Sequence, residues 1–198
     1  MKKIMKTLWT EFGASWKATV LLVLLLCGLY PAAVWTVGRT LFPGRARGSL
    51  VVRDGLVMGS SLLAQEFAGP GYFHPRPAAE GTGYRGSASG GSNLGPLSRK
   101  LVEEVERRVN AYRSENALPQ GTPVPADAVT ASGSGFDPHI SPANAYLQAR
   151  RVAEARGFGE GTVQRLIRHA TEGRDLGFLG EPRVNVLKLN MALDGLKR

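Results

Sequence analysis

From Ala18 to Gly38 the chain reads ATVLLVLLLCGLYPAAVWTVG, 21 residues without a charge, bracketed by Lys17 and Arg39. At the helical rise of about 1.5 Å per residue this run spans roughly 32 Å, the thickness of a bilayer's hydrocarbon core. Only a helix takes such a run through lipid, because each backbone N–H and C=O must find its partner within the segment. Trp16 and Trp35 fall where the two membrane interfaces would lie. Pro31 predicts a kink and Pro43 closes the exit. The competing pattern is a cleaved signal peptide, with Lys2, Lys3 and Lys6 as its basic n-region. A signal h-region is only about 7–15 residues long, however, and no good A-x-A site follows. The pattern therefore predicts a tail over 1–17, an uncleaved anchor over 18–41 and a soluble domain over 42–198.

The periodicity then changes to that of a soluble protein. Leu50–Arg53 and Leu56–Met58 are short apolar runs around Asp54-Gly55, a strong two-residue hairpin signal. Ser60 or Ser61 is placed to cap a short helix, SLLAQEF, stopped at Gly69-Pro70-Gly71. YFHPRPAA is too proline-rich for regular structure, and its Tyr72 and Phe73 are expected to pack on the domain. Residues 81–98 form a Gly/Ser-rich loop that is long for a connection inside one domain. A helix follows over about 98–116, with Leu101, Val102, Val105, Val109 and Tyr112 as its apolar stripe. Its Glu103–Arg107 and Glu104–Arg108 pairs read as a solvated face.

Pro119 to Pro125 is irregular, and VTASGSGFDPHISP occupies 129–142. Ser141 as N-cap, Pro142 at the first helical position and Gly157 as the stop delimit another helix. A further helix covers about 160–171, carrying Val163, Leu166, Ile167 and Ala170 on one face and ended by Gly173. RVNVLKLN reads as a strand and LNMALDGLK as a short terminal helix. Phe178, Leu179, Val184, Val186 and Leu187 read as core. The fold class is α+β: one N-terminal membrane helix, then one soluble domain with a small antiparallel sheet and three to four helices.

Charge narrows the function classes. The net charge of +9 divides into +3 for residues 1–17 and +6 for the remainder. The arginines alternate with glutamates rather than forming a stripe, and no RNP-type motif or aromatic interleaving occurs, which argues against nucleic acid. Lys2, Lys3, Lys6 and Lys17 precede the anchor, while Arg39, Arg45, Arg47 and Arg53 follow it. With the two flanks tied, positive-inside counting does not orient the helix. A short tail before a long domain favours export of the domain. The only cysteine, Cys27, lies within the span, so no intrachain disulfide forms.

Short motifs add little. Gly81-Thr-Gly83-Tyr-Arg-Gly86 matches G-x-G-x-x-G, but no strand precedes it and no helix follows, as a dinucleotide site requires. No G-x-x-x-x-G-K-[ST] occurs. Ser132, Ser134, Asp137 and His139 suggest a hydrolase, yet SGSGF lacks the G-x-S-x-G elbow. The simpler reading is a tight turn at Gly133 and Gly135, with Asp137 and Ser141 satisfying local donors. His74, His139 and His169 have no second ligand at metal spacing.

Longer blocks are more specific. SGGSNLGP at 89–96, VTASGSGFDPHISP at 129–142 and GFLGEPRVNVLKLNMALD at 177–194 closely resemble the signature blocks of the C subunit family of the Kdp potassium-transporting ATPase. LFPGRARGSL at 41–50 and GSSLLAQEFAGPGYFHPRPAA at 59–79 fit the same family in order. The sequence departs at His74-Pro75, where the family pattern has an aromatic and a glycine before Arg-Pro.

The resemblance implies a non-catalytic subunit of an ATP-driven potassium uptake complex in the bacterial inner membrane. Implied partners are a channel-like potassium-translocating subunit, a P-type ATPase subunit and a small single-span subunit. The family is described as a catalytic chaperone that raises the ATP affinity of the pump subunit. ATP would then be met only in a ternary complex with that subunit, with no cofactor of the chain's own. The family's soluble domain is placed outside the cytoplasm. This chain has no D-K-T-G-T phosphorylation block and no second span for an ion path. The 129–142 block is dense in small polar groups and stiffened by Pro138 and Pro142. Ser132, Gly133, Ser134, Gly135, Asp137 and His139, with Ser92 and Asn93, are therefore the expected partner contacts. The competing classes are a membrane-anchored serine hydrolase using Ser132 or Ser134 with His139, and a single-span scaffold.

Overall fold

Helix α1 (Lys2–Val23) runs into a π-helical turn, Leu24–Leu29, and on into α2 (Tyr30–Leu41). The computed structural model describes residues 2–79, Gly86 and 89–196, in two units, 1–49 and 50–198. In the first unit, Thr7–Leu41 is long and apolar enough to cross a membrane, and none of it is buried. Where a kink was expected, the helix widens just before Pro31. Tyr30 N–H donates to Leu25 O, five residues back. A proline ring clashes with the carbonyl four residues before it, and a wider turn moves that carbonyl aside. Thr36 and Thr40 return their hydroxyls to Ala32 O and Thr36 O, both at 2.8 Å, leaving little polarity to face lipid. A short helix, α3 (Pro43–Ala46), follows.

The second unit begins with the predicted hairpin. Strands β1 (Leu50–Arg53) and β2 (Leu56–Ser60) pair antiparallel around Asp54 and Gly55, whose φ of 52° and 78° suit the twist of a two-residue turn. The expected SLLAQEF helix does not form. Seven residues scarcely return the cost of nucleation. Instead Ser60 Oγ accepts the Leu62 N–H, and Ala64 N–H is drawn to Phe136 O at 2.9 Å.

Helices α4 (Arg99–Glu115) and α5 (Ala126–Val129) precede strand β3 (His139–Ile140) and helix α6 (Pro142–Arg156). Helix α7 (Glu160–Ala170), strands β4 (Thr171–Glu172) and β5 (Arg183–Asn185) and helix α8 (Val186–Asp194) complete the unit. The second sheet is antiparallel in the order β3-β5-β4. Ser141 caps α6 by accepting Asn144 N–H, and Gly157 ends it at φ 69°, as the sequence predicts. Helix α7 passes directly into β4 at Thr171 and so ends before Gly173. The expected strand over RVNVLKLN is only three residues long, because Asn185 Oδ1 accepts Lys188 N–H at 3.1 Å and starts α8 there.

The main core joins Phe73, Ile140, Val152, Val163, Ile167, Val184, Leu189 and Leu193. Val184, Val186 and Leu187 are buried as expected, but Phe178 and Leu179 are exposed. Glu104 is not on a solvated face: it is 9% exposed and lies against Lys100 and Arg108. Ala79, Gly91, Ser92 and Leu94 line a small hollow with it.

One irregular segment, 70–74, opens on a turn closed by Tyr72 N–H to Gly69 O at 3.0 Å and has no strand beside it. Side chains satisfy its backbone instead. Asn190 accepts Phe73 N–H at 2.8 Å and donates to Phe73 O at 2.9 Å. Gln148 does the same for His74, at 2.7 and 3.2 Å. Arg151 Nη1 donates to Pro70 O and Tyr72 O, and Arg156 Nε to Gly71 O at 2.7 Å. Phe73 is thereby carried to full burial. Asn190→Ala should cost about 2–4 kcal/mol, since it strands a buried donor and a buried acceptor. Asn190→Leu should not recover that loss, which urea unfolding of the detergent-purified chain would show; recovery by leucine would make the site one of packing.

Candidate functional site

The 129–142 block is built as a clasp. Asp127, in the single turn of α5, accepts hydrogen bonds from Ser141 N–H at 2.7 Å, Ser141 Oγ at 2.9 Å and Asn144 Nδ2 at 3.0 Å. Those three bonds close the loop between α5 and the start of α6. Asp137 then sets the conformation inside it. Its Oδ1 accepts His139 N–H at 3.0 Å, the local turn expected from the sequence. Its Oδ2 takes Arg76 Nη1 at 3.0 Å, while Arg76 Nη2 donates to Ala131 O at 3.3 Å. Pro138 O receives Val186 N–H, and His139 pairs with Asn185 across β3 and β5.

The two glycine-rich blocks meet here. Gly90 N–H and Ser89 Oγ both donate to Ser134 O, at 3.1 and 3.0 Å. A Cβ on Gly91 would lie 2.8 Å from Gly133 O, and one on Gly135 would lie 3.1 Å from Gly90 O. Gly135 also has φ 74°, a conformation that L side chains resist. The glycines are thus required for backbone-on-backbone packing. Gly90 N–H is engaged by Ser134 O and is not free to meet an anion. The G-x-G-x-x-G run at 81–86 lies outside the described residues except for Gly86.

Of the expected contact residues, Gly133, Ser134, Ser92 and Asn93 are exposed, and Asp137 and His139 are half-buried. Ser132, at 4% exposure, and Gly135 are buried and offer no surface. Neither serine bonds to His139. Ser134 Oγ accepts Phe136 N–H at 3.1 Å, an ordinary turn role, while His139 Nδ1 sits 3.5 Å from Asp137 Oδ1. The arrangement has no serine nucleophile next to its base, which is what a hydrolase needs.

A shallow cleft of about 280 Å³ opens beside the block, lined by Arg76, Asp127, Asp137, His139, Glu181 and Arg183. Sequence reading missed Arg76, Asp127, Glu181 and Arg183, which come from three separate segments of the chain. His74, solitary in sequence, lies 2.9 Å from Glu115 on α4. The hydrogen bond from His74 holds the Glu115 carboxyl below its usual range. Among the described residues no group of three His, Cys, Asp or Glu side chains could hold a metal ion.

A family model described as "K+-transporting ATPase, c chain" matches residues 12–195. A potassium-transporting ATPase KdpC subunit of Nitratidesulfovibrio vulgaris is 54% identical over 179 residues, covering 90% of each chain. One of Mycobacterium bovis is 56% identical over 168 residues, covering 85% of this chain and 89% of its own. One of Koribacter versatilis is 47% identical over 177 residues, covering 89% and 90%. The chain belongs to the KdpC family.

Asp137 supplies a prediction. Burial pushes its carboxyl up, but the bonds from the His139 side chain and backbone, with Arg76, outweigh burial and bring the pKa down to about 2 from 3.8. A depressed folded-state pKa stabilises above the unfolded value and loses that effect as pH falls through the folded one. Asp137→Asn should therefore destabilise by about 1 kcal/mol at pH 6, a figure reduced for partial solvation of the carboxylate. The gap between wild type and variant should close between about pH 4 and pH 2. A gap in denaturant midpoints that does not change with pH would separate the loss from the carboxylate's charge.

Proposed function

We propose that the chain is the single-span accessory subunit of an ATP-driven potassium uptake complex and acts by contact on the subunits around it. The observation that carries this reading is the family match over residues 12–195, which takes in the membrane helix and the soluble unit together. The partners are a channel-like potassium-translocating subunit, a P-type ATPase subunit and a small single-span subunit. The soluble unit lies outside the cytoplasm of a bacterial inner membrane, as the family resemblance implies. Its effect is that of a catalytic chaperone, raising the ATP affinity of the pump subunit. From outside the cytoplasm that effect reaches ATP through the conformation of the partners, as a coupling free energy between distant sites. The cleft beside Asp137 and His139 is the surface we assign to contact.

The mixed charge of that cleft supports such a role. Arg76, Asp137, Glu181 and Arg183 put both signs on a surface fixed by the clasp, which favours register and selectivity over raw affinity.

Three measurements test the reading. A tagged chain co-expressed with the other pump subunits should recover them from detergent extracts; their absence from the eluate would end the proposal. His139→Ala should lower that recovery with the melting temperature held within a few degrees. Omitting the chain should raise the KM for ATP of the remaining assembly several-fold, the scale of a ~1–3 kcal/mol coupling. An unchanged KM would remove the chaperone role and leave the accessory one. A cysteine introduced at Ser92 should react with a membrane-impermeant thiol reagent on intact spheroplasts; protection until lysis would invert the topology.

A further inference from the structure

The loop over 173–182 carries apolar groups that the fold does not use. Leu176, Phe178 and Leu179 are 83%, 69% and 48% exposed. The loop that presents them is fastened at each step. Asp175 and Leu179 exchange both backbone hydrogen bonds at 2.9 Å, Gly177 N–H donates to Arg174 O at 3.1 Å, and Phe178 N–H to Asp175 O at 3.3 Å. At its base Arg174 Nη2 meets both Glu181 oxygens, at 2.9 and 2.8 Å. Arg183 meets both oxygens of Asp175 at 3.2 Å. Gly177 and Gly180 take φ of 82° and 75°, and Leu176 itself stands at φ 53°. A leucine enters that region only at a cost, and a loop that needed merely to reverse direction would carry Asn or Gly there.

From this geometry we infer that 174–181 is a preformed anchor whose Leu176 and Phe178 enter an apolar socket on another subunit of the complex. The inference rests on the proposed function for the identity of the partner. Three features select a protein socket over lipid. First, the surrounding charges balance: Glu172, Asp175 and Glu181 against Arg174, Arg183 and Lys188, joined to one another by ion pairs. An interfacial membrane contact draws on a cationic rim facing anionic headgroups, and none is present at this loop. Second, an aromatic and aliphatic centre inside a rim of polar groups is the composition of a protein–protein hot spot. Third, the ion pairs and turns fix the tip before contact, so little entropy remains to be lost on docking. Glu181 and Arg183 also line the cleft beside Asp137 and His139, so anchor and cleft form one continuous face. The cleft supplies orientation and the anchor supplies the buried apolar area.

The test uses the full chain, co-expressed with the other pump subunits in native membranes. Phe178→p-benzoylphenylalanine is illuminated, with the same replacement at exposed Glu154 as control. The expected result is a discrete adduct to a pump subunit from position 178 and not from position 154. Adducts to lipid alone, to a second copy of this chain, or no more adduct than the control overturn the anchor. If the pump subunits co-purify all the same, the accessory role stands without it. If wild type recovers no pump subunit, both readings fall. A second variant, Leu176→Ser with Phe178→Ser, removes only exposed side chains. It should melt as wild type does and recover the partner about ten-fold less or lower, the scale of losing a hot spot. Undiminished recovery overturns the anchor as well.

Discussion

The soluble unit depends on one constraint: a segment with no strand beside it must have its backbone hydrogen bonds satisfied in the interior. In a sheet, a neighbouring strand would do this. Here α6 and α8 do it with side chains, Gln148 on His74 and Asn190 on Phe73, each both donating and accepting. A primary amide carries one acceptor and two donors, which copies the edge of a strand one residue at a time. Two arginines extend the arrangement to Pro70, Gly71 and Tyr72. Because Gln148 also donates to Asn144 and Asn144 accepts from Tyr112, α4 is bound into the same network. Burial pushes the Tyr112 hydroxyl's pKa up, and the Asp127 charge adds to this, so it stays a donor. Such a network fixes a unique packing only while each member is satisfied.

Much of the fold was legible because it is written locally. The membrane helix, the Asp54-Gly55 hairpin, the Ser141 cap with Pro142 and the Gly157 stop each depend on a few adjacent residues. The errors fall where a distant partner or a competing local role decides. The SLLAQEF helix gives way to a bond between Ala64 and Phe136. The last strand is cut short by an asparagine whose capping role competes with its β-pattern. Glu104 reads as a solvated member of an i,i+4 pair until packing encloses it. Phe178 and Leu179 read as core because apolar residues beside a strand usually are. Their exposure could not be seen from pattern alone.

The candidate site divides in the same way. The turn at Asp137 was readable, since aspartate two residues before an amide donor is a local motif. Both 89–93 and 132–135 were expected at a partner contact; that they pack on each other is shown only by the structure, in the close approach of Gly91 to Gly133. Arg76, Asp127, Glu181 and Arg183 gave no signal, because each is an ordinary charged residue until the chain brings it to the cleft. Surfaces made for contact lack the fixed spacings that mark metal or phosphate sites.

The π-helical turn ahead of Pro31 changes which sides of the span its apolar residues occupy. A wider turn takes up roughly one extra residue, and one residue corresponds to about 100° around a helix. The apolar positions before Leu24 and those after Leu29 therefore do not share one continuous stripe. A helical wheel drawn through the whole span would place residues on the wrong side in one half.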